Sequence, residues 1–76
     1  MLNYRAKAVA AKIRSKRIEL NYTQEYLAAK LNISQNAYSK IELGYTKITV
    51  ERLFQIADIL ETDIIELLNV EKAEAA

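Results

Sequence analysis

Residues 23–44 read TQEYLAAKLNISQNAYSKIELG, and the fold turns on this stretch. Thr23 and Ser34 each stand where a short helical segment opens, with a side-chain oxygen placed to accept from an otherwise unpaired backbone N–H. Between the segments lies Lys30-Leu31-Asn32-Ile33. Asn32 tolerates a left-handed backbone, as a sharp reversal needs. Gly44 is a natural residue just past a helix end. The stretch therefore predicts two short helices joined by a tight turn, the second over 34–43.

At 100° per residue, with Gln35 set at zero, Ser39 falls at roughly 40°, Asn36 at about 100° and Lys40 at about 140°. These four form one polar face. Ala37, Tyr38 and Ile41 fall at about 200°, 300° and 240°, an apolar stripe that must dock on the rest of the chain. The docked helix then offers amides, a hydroxyl and an ammonium group outward. Amides pair bidentately with adenine in the DNA major groove and lysine donates to guanine, so Gln35, Asn36, Ser39 and Lys40 are candidates to read bases. A solvated polar surface is the plainer alternative for either amide taken alone.

The 76 residues allow one small domain, assigned to residues 1–70, with the tail at 71–76 expected to fray. No cysteine is present, so no disulfide framework or thiolate chemistry is available. Histidine is absent too, which removes the commonest general base and would leave a metal only carboxylates. With no paired acid and base, glycine-rich phosphate loop or nucleophile constellation, no catalytic residue, metal or cofactor is expected. No apolar run approaches the roughly 20 residues that span a bilayer, and MLNYRAKAVAAK lacks a signal-peptide core. A soluble, cytoplasmic protein without a membrane partner is expected. The absence of proline and the single glycine favour an all-α fold over a sheet.

Net charge is only +1, but it is unevenly spread. Residues 1–47 hold nine Lys and Arg against three Glu, whereas residues 48–76 hold two basic residues against seven acids, giving +6 and −5. The basic half contains the 34–43 helix, so the field would orient the chain on a polyanion.

A first helix is predicted over 3–20, with Asn3 as N-cap and Val9, Ile13 and Leu20 on one face. Thr49 opens a fourth helix, in which Leu53, Ile56, Ala57 and Leu60 have core spacing. Thr62 or Asp63 opens a fifth through about Asn69, with Asp63 and Glu66 spaced as a capping box. Ile64, Leu67 and Leu68 are expected to reach the core. Ile65 falls on the exposed side and suggests a subunit contact with Ile59 or Val70.

Gln24, Ala28, Asn32, Ile33 and Ile41 together resemble the helix-turn-helix of the phage repressor and Cro, or XRE-type, family, over approximately residues 9–68. The resemblance implies a compact five-helix DNA-binding domain with its motif at 23–44. Asn32 departs from the glycine commonest there, and Tyr38 from a smaller Ile or Val; its ring is expected to be buried with the hydroxyl reaching solvent. By the resemblance Arg17 pairs with Glu42 and locks the first helix to the reading helix. Gln24 would bind a backbone phosphate of double-stranded DNA, helped by Arg14, Thr23, Ser34, Thr46 and Lys47. Ile48 and Val50 stand near where some relatives carry a minor-groove arginine, so that contact is not carried over. A regulator acting as a homodimer on a palindromic operator, with half-sites about 34 Å apart, is the principal expectation. A protein-interaction module of the same fold, such as an antitoxin-type partner of an unknown protein, is the alternative.

Overall fold

The computed structural model describes residues 4–70, and each of its last four helices begins on a side chain that accepts a first-turn backbone N–H. The order is α1 (Tyr4–Glu19), α2 (Gln24–Leu31), α3 (Gln35–Glu42), α4 (Val50–Ile59) and α5 (Ile64–Leu68), with no strand among the described residues. Thr23 Oγ1 accepts from the Tyr26 N–H, Ser34 Oγ from that of Ala37 and Thr49 Oγ1 from that of Arg52, each at 3.0 Å. Each such cap stabilises its helix by about 1 kcal/mol. At α5 the capping-box expectation is modified. The Asp63 carboxylate accepts from Ile65, one position early, while Glu66 N–H bonds the Asp63 backbone oxygen at 2.9 Å.

Helix ends obey a single rule. At α1, α2, α3 and α4 a residue with positive φ, respectively Asn21, Asn32, Gly44 and Glu61, follows the last turn. In each case its N–H and the next one reach back to two carbonyls, as at Gly44→Ile41 (3.1 Å) and Tyr45→Lys40 (3.0 Å). This pair of hydrogen bonds satisfies carbonyls the helix leaves unpaired. Gly44, at φ 78°, has a second constraint, because a β-carbon there would sit 3.0 Å from Lys7 Cγ.

The helices bury one stripe each around a common core. Ala10, Ile13 and Arg17 face inward from α1; Leu27, Ala28 and Leu31 from α2; Tyr38, Ile41 and Glu42 from α3. Leu53, Ile56, Ala57, Leu60 and Leu67 complete it from α4, its end and α5. Full burial of a leucine or isoleucine contributes about 1.5–3 kcal/mol, so a core of this size suffices only because every helix contributes. α3 packs against α1 and α2, and α2 also packs on α4. Two long side chains brace the frame: Arg52 donates to the Leu31 carbonyl (3.3 Å) and Lys12 to that of Asn69 (3.0 Å).

Two sequence expectations are corrected here. Ala37 is exposed rather than docked, since about 95° separates it from the centre of the buried stripe once Glu42 is counted in that stripe. Leu68 is exposed, because α5 is only five residues long and Leu67 alone fills its contact with the core. Around the expected subunit contact, Ile65 is exposed, while Ile59 packs partly against the core and Val70 is half-buried beside α1. Asn3 and residues 71–76 lie outside the described residues.

Candidate nucleic-acid interface

Helical spacing sends Arg17 into the protein, because it continues the stripe of Ala10 and Ile13 at i+3 and i+7. A buried guanidinium needs an anion, and Glu42 supplies it from the inner face of α3. Arg17 Nε donates to Glu42 Oε2 at 2.7 Å and Nη2 to Oε1 at 3.1 Å, while Nη1 donates to the Tyr22 carbonyl at 2.8 Å. The Glu42 carboxylate also accepts from the Tyr38 hydroxyl at 2.5 Å and from Gln24 Nε2 at 3.1 Å. Burial pushes the Glu42 carboxyl up, but these hydrogen bonds outweigh it and hold its pKa below the usual carboxylate range. The bond to Glu42 raises the pKa of Arg17, and burial followed by the same carboxylate strongly raises that of Tyr38. Both pairs of groups are fixed in their hydrogen-bonding form at neutral pH.

This cluster corrects the expectation for Tyr38, whose hydroxyl does not reach solvent. One turn of helix separates it from Glu42, and the buried carboxylate is a better acceptor there than displaced water. It also changes the reading of Gln24. That side chain, which opens α2, is half-buried and donates to Glu42, the last residue of α3. The start of α2 and the end of α3 are thus tied through one carboxylate.

Away from the buried stripe, Asn36 and Lys40 are exposed and Ser39 is half-buried, and Gln35, in the first turn at the edge of that stripe, is exposed too. A groove between α3 and the following loop gathers Ser34, Asn36, Lys40, Thr46 and Lys47, whereas Arg14, Thr23, Gln24, Gln35 and Ser39 lie outside it. Arg14, Thr46 and Lys47 are exposed. Thr23 and Ser34 use an oxygen lone pair for capping and keep the O–H to donate. Arg52 also lines the groove, from the first turn of α4. Sequence reading missed it because it lies in the acidic half, although its i+3 position from the Thr49 cap places it next to the loop. Leu43 was missed as well. It is 57% exposed on the outward side of α3, where an apolar side chain gave no signal of function.

The arrangement presents two amides and one ammonium group on a helix tied to α1 and α2 from behind, beside a loop that carries Lys47. Among the described residues no helix is long and apolar enough to cross a membrane.

Two helices locked at a tight turn, the second docked along one side and polar along the other, define a helix-turn-helix. The chain belongs to the XRE-type helix-turn-helix family, whose profile, described as Helix-turn-helix, matches residues 13–67. It is 36% identical over 52 residues to the HTH-type transcriptional regulator AnsR of Bacillus subtilis, covering 68% of this chain and 45% of that protein. It is 37% identical over 59 residues to the cryptic phage CTXphi transcriptional repressor RstR of Vibrio cholerae, covering 78% of this chain and 53% of the repressor. The chain thus spans about half the length of these relatives. In three dimensions it is similar to the clp gene regulator ClgR of Corynebacterium glutamicum, with a TM-score of 0.81 and 25% identity over 84% of this chain and 68% of that one. The DNA-binding domain of BldD matches with a TM-score of 0.78 and 27% identity, over 90% of this chain and 99% of the domain.

Proposed function

We propose that the protein is a sequence-specific double-stranded DNA-binding transcriptional regulator of the cytoplasm that reads the major groove with helix 34–43. The observation that carries this is the groove in which Asn36 and Lys40 of α3 stand beside Thr46 and Lys47 of the loop. A helix and an adjoining basic loop at this spacing match a groove and its bordering phosphates. Gln35, Asn36 and Lys40, with Ser39 at the edge, read base edges. Arg14, Thr23, Ser34, Thr46 and Lys47 position the domain on phosphates, with Gln24 sharing its amide between phosphate and Glu42. Arg17 and Glu42 set the angle at which α3 is presented. The names of the relatives, a regulator and a repressor, support the same reading.

One such domain makes a small interface, so a homodimer on a palindromic operator follows. Its contact is assigned to the α4–α5 surface around Ile65, with Leu68 exposed three residues on, Phe54 of α4 exposed as well, and Ile59 and Val70 in supporting positions. Those exposed apolar side chains also favour a second reading, a protein-interaction module.

Selection of bound sites from random duplex DNA at a fixed salt concentration tests the proposal. A two-fold symmetric consensus is expected, and Gln35→Ala with Asn36→Ala should relax it while leaving the fold intact. An unchanged consensus would remove these side chains from base reading. Absence of DNA binding even at low salt would favour the interaction module.

A further inference from the structure

Leu43 is an apolar side chain in a polar neighbourhood. Its N–H bonds the Ser39 carbonyl at 3.0 Å and its backbone is right-handed helical (φ −81°, ψ −7°), so α3 geometry extends through it. Counting on at 100° per residue places it at roughly 80°, between Ser39 and Asn36 on the face that carries Lys40. Tyr38 and Ile41 of the same helix are buried, yet Leu43 is turned outward. In the major groove one apolar group is available to meet it, the C5-methyl of thymine.

We infer that Leu43 is a specificity residue that packs on a thymine methyl and so selects T·A over C·G at one position of each half-site. This rests on the base-reading role of α3 and adds to it a contact that amides and ammonium groups cannot make. Residue 43 lies two turns beyond Asn36, about 10 Å along the helix, so its thymine lies up to about three base steps from the base that Asn36 reads. Gly44 then reverses the chain, and no later residue of α3 competes for that position.

The test uses the full chain and its selected operator. Each thymine is replaced singly by deoxyuridine, which removes the methyl and keeps every hydrogen bond, and affinity is measured at one salt concentration. Wild type is expected to bind about fourfold more weakly at one position per half-site, the equivalent of one buried methyl-sized group. Leu43→Ala should bind the thymine and uracil duplexes equally, whereas Leu43→Met, which keeps an apolar tip, should retain a preference. Matching melting temperatures would show that the variants fold. Leu43→Ala with the wild-type penalty at every position, or a consensus without thymine within reach of residue 43, would overturn the inference while leaving base reading by Asn36 and Lys40 in place. Failure to select any consensus would instead remove the base-reading proposal, and this contact with it.

Discussion

Glu42 is the residue on which the reading helix depends. It is 6% exposed and accepts hydrogen bonds from Arg17, Tyr38 and Gln24, so its charge is compensated by groups from α1, α2 and α3. Tyr38→Phe deletes one charge-assisted bond without opening a cavity and should cost about 1.5–3 kcal/mol in urea denaturation. Arg17→Met leaves the carboxylate buried without its cation and should cost about 3–5 kcal/mol. Acid titration separates this cluster from general charge effects. Because folding lowers the pKa of Glu42, the stability it contributes is complete above the ordinary glutamate value of about 4.3 and is lost as pH falls through the lower folded value. Wild type should therefore lose stability more steeply below that pH than Glu42→Gln; parallel curves would remove Glu42 as the source. The partner of Glu42 was visible in the sequence only through family resemblance, since spacing alone cannot join residues 17 and 42. The bond to Tyr38 was open to a physical reading, being one helical turn away, but assigning Glu42 only to a distant arginine hid it.

Helices in this chain are bounded by local chemistry, which is why most elements could be read directly. Thr23, Ser34 and Thr49 cap as their hydroxyls suggest, and positive φ falls on Asn32, whose short amide tolerates it, and on Gly44, which has no β-carbon to oppose it. Asn21 and Glu61 take it too, and Glu61 carries no sequence mark of it. A non-glycine residue there is strained by roughly 1–2 kcal/mol. Its exposed bond from the Tyr22 hydroxyl, 3.2 Å long, recovers only part of this. Glu61→Gly is thus expected to stabilise the protein by about 0.5–1 kcal/mol in thermal or urea unfolding, against the usual direction for glycine. Equal or lower stability would mean that the Tyr22 contact outweighs the backbone term. The outer faces were less legible than the ends. Ala37 and Leu68 carry apolar side chains, yet both are exposed, Ala37 because it lies off the centre of the buried stripe and Leu68 because the five-residue α5 touches the core too briefly to bury more than Leu67. What faces water is fixed by the contacts of α3 and α5 with other helices, and those are not periodic in sequence.

Across the whole molecule the charge division sets two opposite responses to salt. The α3 groove lies in the +6 half of the chain, so DNA association should weaken as salt rises. Lys47→Ala should lower the slope of log affinity against log salt by about 0.9 per domain, whereas Asn36→Ala should change affinity and leave the slope alone. The α4–α5 surface belongs to the other half. From residue 48 to residue 70 Arg52 stands against Glu51, Asp58, Glu61, Asp63 and Glu66, so two copies meeting there through Ile65 bring like charge together. Salt screens that repulsion and at the same time favours contact between apolar side chains. Self-association in the absence of DNA is thus expected to tighten as salt rises, over the same range in which operator binding weakens. Sedimentation at several protein concentrations, from about 50 mM to 500 mM salt, measures the first response directly. Ile65→Glu adds a further charge at a position 69% exposed and should abolish the self-association without lowering the melting temperature of the monomer. A dimer that loosens with salt, or one indifferent to Ile65→Glu, would remove the subunit contact from the surface around Ile65 and leave the α4–α5 assignment without support.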